Sequence, residues 1–142
     1  MQEGSIVSVQ IAAQSRQPMR SLEQAQAVSD FGLEGDRKAS KGSARQVLFM
    51  DGETLDEFHL QPGDVRENVT TSGLDLRAIQ PGNVLFVGPE ATFEVTGLCD
   101  PCQRMDEIRQ GLRQELAGRR GLLTTVINSG PIQPGDSVRV EP

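Results

Sequence analysis

The chain has 142 residues, enough for one domain with its own core and short for two. Its 14 Lys+Arg stand against 20 Asp+Glu for a net charge of −6, and it has no Trp, no Tyr and five Phe. That composition argues against a nucleic-acid surface, which needs a basic stripe and stacking aromatics, and no apolar run is long enough to span a bilayer.

The N-terminal MQEGSIVSVQ has neither a charged leader nor a continuous apolar stretch, so a secretory signal is not expected and the expected location is cytoplasmic. Residues 6–11 have the Val/Ile content of a strand. Residues 20–28 fit a helix by propensity and a strand by apolar spacing nearly as well. Gly32-Leu33-Glu34-Gly35-Asp36-Arg37-Lys38 is a tight turn followed by two cations; it lacks the Gly-Lys-Ser/Thr ending of a phosphate loop. Arg45 opens a strand over residues 46–50. A helix follows over residues 51–58, with Asp51 placed to cap it and Leu55 and Phe58 on one face. His59, the single histidine, ends that helix; it has the chemistry of a base for a cysteine, but a structural role is the ordinary expectation there.

Arg66-Glu67-Asn68-Val69-Thr70-Thr71-Ser72-Gly73 is dense in hydrogen-bonding groups and reads as a surface loop or as a ligand-binding edge. Strands are expected over residues 83–87, 92–96, 122–128 and 137–140, with Pro81-Gly82 and Pro134-Gly135-Asp136 as turns ahead of two of them. Many short strands with frequent turns predict a mainly β (α+β) fold. The expected architecture is one small barrel of mostly antiparallel strands with a few peripheral helices, a single domain over residues 1–142.

The only two cysteines, Cys99 and Cys102, form one Cys-Asp-Pro-Cys unit. Two Cys and one His supply a four-ligand zinc site poorly, and a disulfide framework normally spreads its cysteines along the chain. A second helix is predicted here, with Asp100 as N-cap, Pro101 at its first position, Met105, Ile108, Leu112 and Leu116 as its buried stripe, and Gly118 as its stop. Cys102 then falls in the first helical turn, where unpaired N–H groups stabilise a thiolate, with Arg104 adding to the effect and Asp100 opposing it. A thiolate is a nucleophile and a soft metal ligand; a buried, inert thiol is the plain alternative. Arg119-Arg120 would complement the negative end of the helix.

Together these patches resemble the MOSC domain, named for the C-terminal part of molybdenum-cofactor sulfurases, whose fold is a β-rich barrel of the PK β-barrel kind. The resemblance runs from about residue 6 to residue 140. It rests on Gly32-x-x-Gly35-Asp36-Arg37, Arg45-Gln46-Val47, Arg66-Glu67-Asn68-Val69-Thr70, Gly73-Leu74-Asp75-Leu76, Pro101-Cys102, Gly118-Arg119-Arg120-Gly121 and Pro134-Gly135-Asp136, in this order. It implies that Cys102 carries sulfur as a persulfide or ligates the metal of a bound molybdenum cofactor. The second version implies molybdenum-dependent reduction of N-oxygenated compounds. Arg16, Arg37, Arg45, Arg66, Asn68 and Arg104 are the expected cofactor-binding residues, since the cofactor bears a phosphate that Arg can grip with two N–H groups. Lys38 stands where relatives often have His. The aminotransferase-like domain of full sulfurases is lacking, so no pyridoxal phosphate site is expected. The implied partners are a sulfur donor such as a cysteine desulfurase, or a separate reductase. Two other readings stay open: a CxxC thiol–disulfide redox protein using Cys99 and Cys102, and a non-catalytic cofactor-binding module.

Overall fold

In the computed structural model, which describes residues 2–142, the elements in chain order are β1 (Gln2–Ile11), β2 (Arg20–Leu22), β3 (Ala25–Val28), β4 (Gly32–Leu33), β5 (Val47–Asp51), α1 (Gly52–Glu57), β6 (Val69–Ser72), a 3₁₀ turn (Leu76–Ala78), β7 (Val84–Val87), β8 (Ala91–Leu98), α2 (Arg104–Ile108), α3 (Leu112–Glu115), β9 (Leu122–Asn128), β10 (Gly130–Ile132) and β11 (Ser137–Glu141). Seven strands close a barrel in the order β11-β7-β8-β9-β5-β6-β1, with β1 returning to β11. Closure is possible because β1 is long and serves three partners. Its first residues pair with β11, its middle with β6 and its end with β2. The register shifts between Ile6 and Ser8, a bulge that lets one strand turn the corner of the barrel. A small second sheet, β10-β3-β4, packs beside it.

Every pairing in the barrel is antiparallel except β5 with β6, which are parallel. Two parallel neighbours need a crossover, and α1 lies in it. Asp51 caps that helix as expected: its carboxylate accepts from the Thr54 backbone N–H at 3.0 Å and from the Thr54 hydroxyl at 2.6 Å. The barrel core holds Phe49 and Phe93 edge to face, ring centres 5.2 Å apart, among Val and Leu side chains. A second apolar cluster, Met50, Leu55, Leu60, Val65, Met105, Leu112 and Leu116, glues the three helices to the outer side of β5.

The expected strands over residues 6–11, 46–50, 83–87, 92–96, 122–128 and 137–140 are all present, within a few residues of their bounds. Residues 20–28 resolve into two strands, because Ala25 and Ala27 turn inward and Gln26 outward with period two. The expected surface loop at 66–73 needs correction, since its second half is β6, a buried barrel strand.

The long helix expected after Cys99 also needs correction. Asp100 does not cap it: α2 starts only at Arg104, Gln103 precedes it without a side-chain cap bond, and Cys102 lies outside the helix. The chain breaks at Arg109, which is extended (φ −158°, ψ 131°), and at Gly111, which is left-handed (φ 88°), before α3. The break resets the phase of the stripe, so Met105, Leu112 and Leu116 are buried while Ile108 faces solvent. A five-residue helix beginning beyond Cys102 removes the helix-dipole argument for that thiol.

Candidate functional site

The connection from β8 to β9, residues 99–121, carries both cysteines, both short helices and Arg120. Its base is tied where β8 and β9 separate. Leu98 pairs with Leu122, and the Cys99 N–H donates to the Gly121 carbonyl at 2.9 Å. Gly121 has φ 115°, and a Cβ there would run into the Phe49 carbonyl, so this close approach to β5 needs glycine. Beside the tie opens a cleft of about 170 Å³ lined by Lys38, Arg45, Leu48, Arg66, Asn68, Cys99, Asp100, Cys102, Arg104, Met105, Arg120 and Leu123. Cys102 is exposed there and Cys99 is buried, and both are free thiols. The wall therefore holds five cations and one carboxylate in a chain that is acidic as a whole.

Three of these cations, Lys38, Arg66 and Arg120, are held by backbone carbonyls rather than by acids. Arg66 sits in the left-handed region at φ 68°, a conformation that costs a non-glycine residue roughly 1–2 kcal/mol. Its N–H donates to the Gly63 carbonyl at 3.0 Å, its carbonyl accepts from Lys38 Nζ at 2.9 Å, and its Nη1 donates to the Gln17 carbonyl at 2.5 Å. Arg120 is 5% exposed, and its Nη2 donates to the Val65 carbonyl. Arg66 Nε and Arg120 Nε and Nη1 are buried with no acceptor. Burial lowers the pKa of Lys38 first, the charges of Arg66 and Arg120 lower it further, and Asp36 opposes them. Burial likewise lowers Arg66, with the charge of Arg104 adding to it, and burial is also the main cause at Arg120. At all three cations burial is the largest cause, and it acts against the charged form.

Asn68 reaches the cleft wall, but its amide is committed. Its Oδ1 accepts from the Leu48 N–H at 3.0 Å, and its Nδ2 donates to the Gln10 carbonyl and to Asp36 Oδ2, both at 3.2 Å. Behind the wall, Glu67 is fully buried and accepts from the Thr70 hydroxyl at 2.8 Å, and its Oε1 has no partner. Burial raises its pKa; the Thr70 hydrogen bond and the charge of Arg120 pull it down.

The cleft brings together Cys102, Arg45, Arg66, Asn68 and Arg104 of the residues expected from sequence. Arg16 lines an adjoining cavity of about 470 Å³, which shares Arg66, Arg104 and Met105 with the cleft. Arg37 lines neither; its neighbour Lys38 takes the place at the wall. His59 follows α1 in a left-handed turn (φ 57°) and is not part of the wall. Sequence reasoning missed Arg120 by assigning the Arg119-Arg120 pair to a helix end. Arg119 instead reaches α1, where its guanidinium pairs with Glu57 at 2.7 and 2.9 Å, and Arg120 turns into the cleft. The signal was available in position: Arg120 stands two residues before a strand whose partner strand ends just before Cys99.

The model of the family described as the MOSC domain matches residues 36–139. The chain belongs to the MOSC family. No functionally curated protein matches it. Among solved structures, this MOSC barrel is similar to the YuaD protein from Bacillus subtilis, at 20% identity and a TM-score of 0.81 over 97% of this chain and 95% of that one. It is similar to YiiM from Geobacillus stearothermophilus, at 16% identity and a TM-score of 0.78 over 98% and 75% of the two chains. It is also similar to YiiM from Escherichia coli, at 19% identity and a TM-score of 0.75 over 100% and 71%. At these identities the likeness establishes the fold. No helix among the described residues is long and apolar enough to cross a membrane.

Proposed function

We propose that this MOSC protein binds the molybdenum cofactor in the guanidinium-lined cleft and carries sulfur on Cys102, as a persulfide or as a sulfur ligand to the metal. One observation carries the reading: an exposed thiol shares a wall with buried guanidinium N–H groups that have no acceptor. A buried donor left unpaired costs about 1–3 kcal/mol, and an anionic ligand relieves that cost. The residues present fit a phosphate-bearing group with a metal that takes soft sulfur. Arg45, Arg66, Arg104, Arg120 and Lys38 would hold the phosphate, Arg16 would reach from the adjoining cavity, and Cys102 would supply the sulfur. Asn68 keeps the wall in shape through its hydrogen bonds to Leu48, Gln10 and Asp36. The cleft alone is smaller than the roughly 300–1,000 Å³ of ordinary small-molecule sites, whereas the cavity that continues it is within that range.

The cations have a second use on the carrier reading. A persulfide and the hydrosulfide it can release are anions, and the wall offsets their charge. The carrier version needs a sulfur donor of the cysteine desulfurase kind in the same, cytoplasmic, compartment. The adjoining cavity favours a second version, reduction of small N-oxygenated compounds, because it shares Arg66, Arg104 and Met105 with the cleft that holds Cys102 and adds room for a substrate there. The cofactor, when bound, supplies a metal centre able to remove an oxygen atom, and the electrons come from a separate reductase. The test is elemental analysis and intact mass on protein gently purified from a host that makes the cofactor, with Cys102→Ala alongside. Molybdenum near one per chain, or one added sulfur mapped to Cys102 and absent from the variant, is expected. The absence of both signals would end the proposal.

A further inference from the structure

We propose that Cys99 is the resolving thiol of this site: it displaces the sulfur carried on Cys102 and releases it as hydrosulfide. The inference rests on the reading of Cys102 as a sulfur carrier. Both sulfurs line the same cleft, but they differ in access. Cys102 is exposed to any sulfur donor, while Cys99 is 6% exposed and sits at the root of the loop, fixed by its N–H bond to the Gly121 carbonyl. A donor therefore loads Cys102 and leaves Cys99 free. The Cys99 sulfur has no structural duty of its own beyond a 3.7 Å approach to the neighbouring Asp100 carbonyl. Residues 99–102 belong to neither β8 nor α2, so a bond between the two sulfurs would unwind no helix or strand. Arg120 and Lys38 line the same cleft as both sulfurs.

The chemistry balances without an added oxidant. The Cys99 sulfur, as thiolate, attacks Cys102 Sγ, the inner sulfur of the persulfide. A Cys99–Cys102 bond forms and the bond from Cys102 Sγ to the outer sulfur breaks. The outer sulfur leaves with the electron pair of that bond as hydrosulfide, so it is reduced while the two thiols are oxidised to a disulfide. The Cys99 proton passes by way of solvent to the departing sulfur, so the persulfide anion and one thiol give the disulfide and one hydrosulfide. A low-molecular-weight thiol or a dithiol protein then reduces the disulfide and resets the site. The CxxC unit and the single-cysteine carrier thus become two stages of one cycle.

The test loads the reduced full chain with inorganic polysulfide, desalts it, and follows intact mass and free sulfide, for the unmodified protein and for Cys99→Ala and Cys99→Ser. The unmodified protein is expected to lose the added sulfur as one sulfide per chain and to end two hydrogens lighter than the reduced form, with Cys99 and Cys102 linked in a peptide map. Both variants are expected to keep the added sulfur over the same interval. Should neither variant fold, the linked peptide and the stoichiometric sulfide of the unmodified protein decide the matter. An unmodified protein that keeps its added sulfur as long as the variants do overturns the role of Cys99 and leaves Cys102 as carrier. If all three proteins gain no sulfur and release no sulfide, the carrier reading falls and this inference falls with it.

Discussion

The side-chain amide of Asn68 donates to the Asp36 carboxylate at 3.2 Å and so ties the turn after β4 to the parallel step of the barrel. Parallel strands start without a hairpin to align them. Here one amide does part of that work, bonding to Leu48 on β5, to the Gln10 carbonyl on β1 and to Asp36. The other Asp36 oxygen accepts the Ala12 N–H at 2.8 Å. Asn68→Ala removes three buried hydrogen bonds and leaves the Leu48 N–H unpaired. We expect a loss of about 2–4 kcal/mol in urea unfolding. A loss below about 1 kcal/mol would mean that the strand start is aligned by other contacts.

The two thiols should separate cleanly by access. In the native protein iodoacetamide is expected to add once, at Cys102, and twice only after unfolding, because Cys99 is buried. Cys102→Ser should leave the unfolding free energy within about 0.5 kcal/mol, as for other exposed positions. Intact mass and peptide mapping read the outcome. Equal labelling of both cysteines in the folded chain would contradict the geometry of the cleft.

Glu67 gives a pH prediction with a definite sign. Burial holds its carboxyl above the ordinary value of 4.5, against the Thr70 hydrogen bond and the charge of Arg120. Below pH 4.5 the folded and unfolded chains both keep the proton and nothing is lost. Above it the unfolded chain releases its proton first, so this group's contribution to stability falls as pH rises, until the folded carboxyl ionises too. Glu67→Gln removes that fall. The Tm of the variant relative to the unmodified protein should therefore climb as pH rises above 4.5. A difference that stays flat above that pH would show that Glu67 is not held above its ordinary value.

Local signals made the barrel legible, and the site only partly so. The strand at residues 122–128 announces itself by β-branched content and flanking Gly and Ser, and it forms over those residues. Arg66 to Gly73 misleads because its polar side chains look solvated, yet Thr70 and Thr71 are buried in a strand. The Thr70 hydroxyl donates to the Glu67 carboxylate and accepts from the Gln10 side-chain amide on β1 at 2.9 Å, a pairing across 60 residues that composition does not encode. The helix after Cys99 misleads for the opposite reason. Its apolar spacing is helical, but Gly111 is left-handed and splits it in two. At the site, the Gly-Asp-Arg pattern drew attention to Arg37, whereas the turn presents Lys38 to the cleft. Arg120 was hidden because adjacent residues in a turn diverge, and sequence alone does not say which of two arginines goes inward.

Arg120 offers the sharpest separation of function from stability. Two of its three guanidinium nitrogens are buried without acceptors, and burial is the main force acting on the group. Such a charge is costly to keep, and replacing it by an apolar side chain of similar length is often neutral or stabilising. Arg120→Met should therefore unfold at the same Tm as the unmodified chain or higher, with the Val65 carbonyl losing one donor. The same variant should bind inorganic phosphate or sulfate more weakly, because the donors aimed into the cleft are gone. Calorimetry of unfolding and anion titration at low salt read the two effects separately. A drop in Tm with unchanged anion binding would make Arg120 a structural residue, and the cleft would lose its strongest claim to an anionic ligand.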